Sequence, residues 1–266
     1  MQGRLLPPVE GRFQAFPKDN WEDEFCIAQE IGLNCIEFIF EGEDCENHPL
    51  MNAEGLSKVK KIRDRTGVQT LSVCADYFMD YPMHSVEHFS KSVQVLRELL
   101  KNVSTLGVKD LVIPCVDRSS LKNSDDIARF HEAIKIVSTV SKQYRINLSL
   151  EADLASGPFA ELISSLDSPT VKVNYDSGNS ASLGYDPAEE FAAYGKYISD
   201  VHIKDRIYGG GTVPLGEGDT KIAEVLKLLK QYNYPGVYIL QAARGVNGKE
   251  RETISGYLDY LRCFLG

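Results

Sequence analysis

Short runs in which apolar and polar residues alternate recur along the chain, each followed by a longer segment with apolar residues three and four positions apart. This rhythm predicts repeated βα units and a parallel sheet. Eight strands are expected, over residues 1–5, 35–40, 69–73, 110–115, 147–152, 171–176, 199–204 and 236–241. Between them, residues 85–106 carry Phe89, Val93, Leu96, Leu99, Leu100 and Val103 at helical spacing and stop at Gly107. Segments 126–144, 187–198, 221–232 and 251–265 behave alike. Asn20 reads as the N-cap of a first helix with Glu22 and Asp23 in its first turn and Gly32 as its stop.

Eight units fit either a closed barrel or an open sheet wound on both faces. Residue parity decides between them. Leu148 and Leu150 alternate with Asn147, Ser149 and Glu151; Val171, Val173 and Tyr175 with Lys172, Asn174 and Asp176; Val201 and Ile203 with Asp200, His202 and Lys204. A strand covered by helices on both faces is apolar throughout, so this alternation predicts helices outside and a polar lumen inside. The expected fold is a (β/α)8 TIM barrel forming one domain over residues 1–266. Met1 already lies inside the first strand, which is therefore very short or poorly sealed, or begins upstream of this sequence.

The formal charge of -9 argues against a nucleic-acid partner, whose phosphates call for clustered Lys and Arg. Six scattered cysteines without a CxxC pair point to a reducing cytoplasm rather than a disulfide framework. No run approaches the ~18 apolar residues of a membrane span, and no signal peptide is legible.

In such barrels chemistry sits at the C-terminal strand ends. Glu151, Asp176 and His202 fall there on three consecutive strands, and Gln241 ends the last. Two carboxylates, an imidazole and a carboxamide oxygen suit Mn²⁺, Mg²⁺, Co²⁺ or Zn²⁺. The competing expectation is a satisfied hydrogen-bonded network in the lumen.

These residues stand in LSLEAD (148–153), NYDSGN (174–179) and VHIKD (201–205), followed by VPLGEG (213–218). Together they resemble the sugar phosphate isomerase/epimerase superfamily with its xylose isomerase-like TIM barrel, in a pattern similar to the L-ribulose-5-phosphate 3-epimerases. The resemblance implies a divalent ion held by Glu151, Asp176 and His202, with Gln241 where the family has a final Glu. It also implies a ketose substrate that passes through a metal-stabilised enediolate. In the family the first and last Glu are two bases facing each other. Gln241 cannot move a proton and removes one charge from the ligand set, so Glu151 is left as the single base and the metal is expected to be weakly held or absent.

The resemblance places Lys204 and Asp205 beside the metal, with Lys204 available to neutralise an enediolate. Gln2, Arg4, Glu37, Asn179, Arg206 and Arg244 complete the candidate substrate contacts. Arg4 is read as a bidentate ligand for phosphate or carboxylate, or else as a surface arginine; Arg244 is read as the partner that, with Gln241, replaces the family carboxylate. Residues 209–212 are expected to form a mobile lid, and Gly216–Gly218 a turn before the next helix. His48, His84, His88 and His131 are expected on loops or helix surfaces without a role. Trp21 either covers the mouth or staples the first helix.

The leading expectation is a sugar or sugar-phosphate isomerase or epimerase whose partner is a small carbohydrate, with a homo-oligomer left open. A lyase similar to inosose dehydratases and a catalytically retired sugar-binding barrel are the alternatives. An apurinic-site endonuclease ranks below them, because it needs more histidines at the mouth and a basic DNA surface.

Overall fold

In the computed structural model, which describes residues 1–265, seven strands form one parallel sheet in the order β1 (Phe38–Ile39), β2 (Ser72–Cys74), β3 (Asp110–Cys115), β4 (Asn147–Ala152), β5 (Val171–Asp176), β6 (Ile198–Ile203) and β9 (Tyr238–Leu240). The eighth position is filled by a single residue. Gln2 bridges Glu37 in parallel, its N–H donates to the Leu240 carbonyl at 3.2 Å, and the Glu37 N–H donates to the Met1 carbonyl at 2.8 Å. The expected first strand is thus reduced to one bridging residue that closes the ring.

Expectations for residues 110–115, 147–152 and 171–176 coincide with β3, β4 and β5. The strands expected over 35–40 and 69–73 are shorter, with β1 and β2 preceded by an isolated bridge between Cys35 and Gln69. Parity also holds. Leu148, Leu150, Val171 and Val173 are buried under helices, while the lumen holds Ser149 and Asp110, whose Oδ1 accepts from Ser149 Oγ at 2.9 Å.

The helices wrap the sheet. Residues 85–106 shorten to α4 (Phe89–Ser104), which follows the single turn α3 (Tyr77–Asp80), and Gly107 takes φ 72° beyond it. α5 (Ser124–Tyr144) begins where the Asn123 side chain accepts from the N–H groups of Asp125 and Asp126, at 3.0 and 2.9 Å. Two helices that the periodicity did not delimit are α2 (Ala53–Thr66) and α6 (Ser156–Ser165). Asn20 precedes α1 (Trp21–Glu30) but its side chain makes no capping bond, a correction to the expected N-cap.

Trp21 is a staple: it packs on Phe25 and Phe38, with ring centroids 6.0 and 5.4 Å away, rather than over the mouth. His48 and His84 lie on loops, as expected, and both are buried there. His48 bonds the Ile39 carbonyl through Nε2 at 3.0 Å and accepts from the Leu50 N–H at Nδ1, and burial pushes it down to about 4. Residues 209–211 lie in the turn of an antiparallel hairpin between β7 (Asp205–Arg206) and β8 (Thr212–Val213), where Thr212 pairs with Arg206. Among the described residues no helix is long and apolar enough to cross a membrane.

Candidate active site

Strand parity turns Glu151, Asp176 and His202 into the lumen near the C-terminal ends of β4, β5 and β6, with Asp176 in register with His202. One ligand atom from each lies within 4.8 Å of the others. The Nε2 of His202 bonds Glu37 Oε1 at 3.0 Å, which turns Nδ1 toward Glu151 Oε2 (3.7 Å) and Asp176 Oδ2 (3.8 Å). Glu37 is itself fixed by the Ser72 hydroxyl at 2.6 Å. A carboxylate behind a histidine in this way orients the ring and its second nitrogen, as in many metal sites, and here Asn174 Nδ2 also lies 3.1 Å from Nδ1.

Glu151 is held from both sides. Asn174 Nδ2 donates to Oε2 at 2.8 Å and Asn179 Nδ2 to Oε1 at 2.7 Å. Asp176 Oδ1 caps α7 (Ser177–Leu183) by accepting from the N–H groups of Gly178 and Asn179 at 2.9 and 2.8 Å, which leaves Oδ2 to face Lys204 Nζ at 3.2 Å. Lys204 Nζ also donates to Gln241 Oε1 at 2.7 Å. A Cβ on Gly178 would stand 2.7 Å from Lys204 Cγ, so glycine is what lets the lysine lie across the site.

Burial, then the neighbouring Asp176 carboxylate, push Glu151 up to about 7, in the range of a base working near neutrality. Burial opposes ionisation of Asp176 as well, yet the Lys204 ammonium and His202 hold it well below the usual carboxylate range. Burial also works against a charged His202, but Glu37, Asp176 and Glu151 together raise it well above its ordinary value. The His202 imidazolium and the Lys204 ammonium are therefore the positive partners of a buried carboxylate cluster, a role that a divalent ion would take over with His202 deprotonated at Nδ1. The cluster's hard oxygen and nitrogen donors, with Glu37 orienting the histidine, fit a divalent ion.

Above the cluster opens a cavity of about 410 Å³, lined by Glu151, Asn179, Lys204, Arg206, Gln241, Arg12, Gln14, Glu41 and Asp76. Arg206 Nη1 donates to Asn179 Oδ1 at 2.8 Å, beside the expected substrate contacts.

Five candidates lie elsewhere. Asp205 is corrected from a substrate contact to a buried latch: Oδ2 accepts from Gly216 and Gly218 N–H at 2.8 and 3.1 Å and Oδ1 from Thr220 N–H at 3.0 Å. Arg244 is corrected too, since it touches neither Gln241 nor Glu151 and donates to the carbonyls of Phe13, Leu6 and Gly3 at 2.8, 2.9 and 2.8 Å. Arg4 is buried, with Nη1 on the carbonyl and Oε1 of Gln2 (2.7 and 3.2 Å) and Nη2 on Gln14 Oε1 (3.1 Å). Gln2 lies behind Gln241, and Glu37 behind His202, rather than in the cavity.

Sequence reasoning missed Asp76, Gln14 and Asn174. Asp76 and Asn174 were findable. Ser72, Cys74 and Asp76 continue the parity of β2 beyond its end, and Asn174 has the parity of Asp176. Gln14 sits in a loop and carries no periodic signal.

Fold and mouth define a parallel α/β barrel with a carboxylate–histidine pocket where barrels of this architecture keep their active sites. The match to the xylose isomerase-like TIM barrel model runs over residues 25–262, and the chain belongs to that family. An L-ribulose-5-phosphate 3-epimerase of Salmonella paratyphi A is 23% identical over 234 residues, which cover 83% of this chain and 81% of that one. A putative L-ribulose-5-phosphate 3-epimerase of Haemophilus influenzae is 23% identical over 251 residues, 86% of each chain. Among solved structures, an L-ribulose 3-epimerase superposes with a TM-score of 0.78 at 13% identity, over 100% of this chain and 93% of that one. An IolI protein with a bound zinc atom gives 0.75 at 16% identity, over 94% and 95%. The two structural likenesses establish the fold alone, and the relatives matched in sequence carry the names of sugar epimerases.

Proposed function

We propose that this chain is an isomerase or epimerase of a small ketose or ketose phosphate, dependent on a divalent ion, with Glu151 as the base. The observation that carries the reading is the convergence of Glu151, Asp176 and His202, with ligand atoms within 4.8 Å, where Glu151 lines a cavity of about 410 Å³ and the other two lie buried behind it. That size falls within the roughly 300–1,000 Å³ of small-molecule sites. The epimerase names of relatives 23% identical over most of their length support it.

Glu151, Asp176, His202 Nδ1 and Gln241 Oε1 would hold the ion, which when bound supplies Lewis acidity at the ketose carbonyl. The rest falls to the chain. Asn174 and Asn179 hold the Glu151 carboxylate in one orientation, and its burial suits it to accept the proton on the carbon beside the carbonyl. Lys204 donates to the oxygen on which negative charge develops, and Arg206 binds a more distant hydroxyl or phosphate oxygen. Gln241 presents an oxygen and no transferable proton, which favours a shuttle on one face, as in aldose–ketose isomerisation, over inversion by two bases.

The test is elemental analysis of the purified protein together with a Mn²⁺-soaked crystal structure. The reading expects an ion within about 2.0 to 2.6 Å of Glu151, Asp176, His202 and the Gln241 side-chain oxygen. Purified protein without metal, together with a soaked crystal in which Lys204 still fills the site, would overturn it.

A further inference from the structure

Behind the cavity, Arg4 is the hub of a hydrogen-bond relay whose direction can be worked out residue by residue. A guanidinium only donates. Its Nη1 therefore meets two oxygens of Gln2, the backbone carbonyl at 2.7 Å and Oε1 at 3.2 Å, and its Nη2 an oxygen of Gln14, at 3.1 Å. Gln2 Oε1 then receives a second donor, Gln241 Nε2, at 2.8 Å, and this leaves Gln241 Oε1 to face Lys204 at 2.7 Å. Along the other branch, Gln14 Nε2 points to Asp76 Oδ2 at 2.6 Å.

The arrangement has a cost that marks it as directional. Gln2 Nε2 is buried with no hydrogen-bond partner. Turning the Gln2 amide over would bring that nitrogen against two donors, Arg4 and Gln241, so the unpaired group is tolerated to keep an oxygen where they meet.

We infer that Arg4 and Gln2 are positioning residues: they fix the Gln241 carboxamide with its oxygen toward the cation side of the pocket, while Arg4 through Gln14 gives Asp76 a donor. On this account residue 241 is built to be an amide, because the oxygen that Gln2 presents matches an N–H and repels a carboxylate. The inference rests on the proposed reading of Gln241 as part of the ligand-binding wall.

The test uses the full chain with Gln2→Met, which removes the acceptor at similar volume, and Gln2→Glu, which keeps it. Side-chain amide proton exchange of Gln241, assigned by NMR against Gln241→Met, reports the relay directly, and Mn²⁺ titration calorimetry reports its consequence. Slow exchange is expected in the wild type and in Gln2→Glu. In Gln2→Met exchange should be at least about tenfold faster and Mn²⁺ affinity about tenfold or more weaker, the usual effect of losing a group that orients a ligand. Unchanged exchange and affinity in Gln2→Met overturn the inference, as does an equal loss in both variants, which would mean a packing role only. If exchange follows the expected pattern while Gln241→Met binds Mn²⁺ like the wild type, the relay stands and the assignment of Gln241 as a ligand falls.

Discussion

The two walls of the pocket are built on different principles. The wall of β4, β5 and β6 takes Glu151, Asp176 and His202 from three adjacent strands, and parity alone aims each side chain inward. The opposite wall comes from the loop between Gln2 and Phe16 folding against the end of β9. Its residues are aimed by hydrogen bonds across most of the chain, with 239 positions separating Gln2 from Gln241 and 238 separating Leu6 from Arg244. One wall is set by local geometry and carries the carboxylate–histidine cluster. The other is set by long-range pairing and shapes what that cluster meets.

Breaking each wall should therefore have a different signature. Apart from the proposed base itself, the largest effect is expected from Lys204→Met, which removes the donor lying between the walls. Turnover should fall by about 10²-fold or more with KM little changed, as for the loss of a group that stabilises developing charge. Steady-state kinetics on the responsive ketose check it.

The second prediction concerns Glu24, on α1 beneath the loop wall, where Oε1 accepts from the Leu5 N–H at 3.2 Å. Burial pushes this carboxyl up to about 7 from the usual 4.5. Because the folded value lies above the unfolded one, its contribution to stability is full below about pH 4.5 and is lost as pH rises through about 7. Denaturant unfolding of the wild type relative to Glu24→Gln should lose about 3 kcal/mol between pH 4.5 and 8. A flat difference would show that the buried carboxyl does not titrate there.

Arg244→Ala comes next. Three carbonyls of the loop lose their donor, and the cost is expected at about 2 kcal/mol of unfolding free energy, with KM raised more than kcat is lowered. An equal fall in kcat would move Arg244 into the chemistry after all. The smallest effect serves as a control. Asn123→Ala, at the start of α5 and away from both walls, should cost about 1 kcal/mol in thermal unfolding and leave KM unchanged.

The contrast also explains what the sequence could and could not disclose. β3, β4 and β5 were legible to the residue, because alternation with period two leaves a direct trace. The same trace placed Glu151, Asp176 and His202 together. It could not show that Arg244 serves the loop carbonyls, that Arg4 is buried, or that Asp205 holds the turn at Gly216, since those partners are chosen by tertiary approach and not by spacing. The first strand failed for a related reason: a barrel position held by one bridging residue has no period to read.

The central claim is that Glu151 moves a proton at the carbon beside a ketose carbonyl. Incubating the Mn²⁺-supplemented protein with a panel of ketoses and ketose phosphates in D2O, followed by NMR, tests it most directly. The account predicts deuterium at C1 or C3 of at least one sugar with the wild type, and a rate reduced about 10³-fold or more in Glu151→Gln. No deuterium in any sugar, or exchange that survives the substitution undiminished, would contradict it.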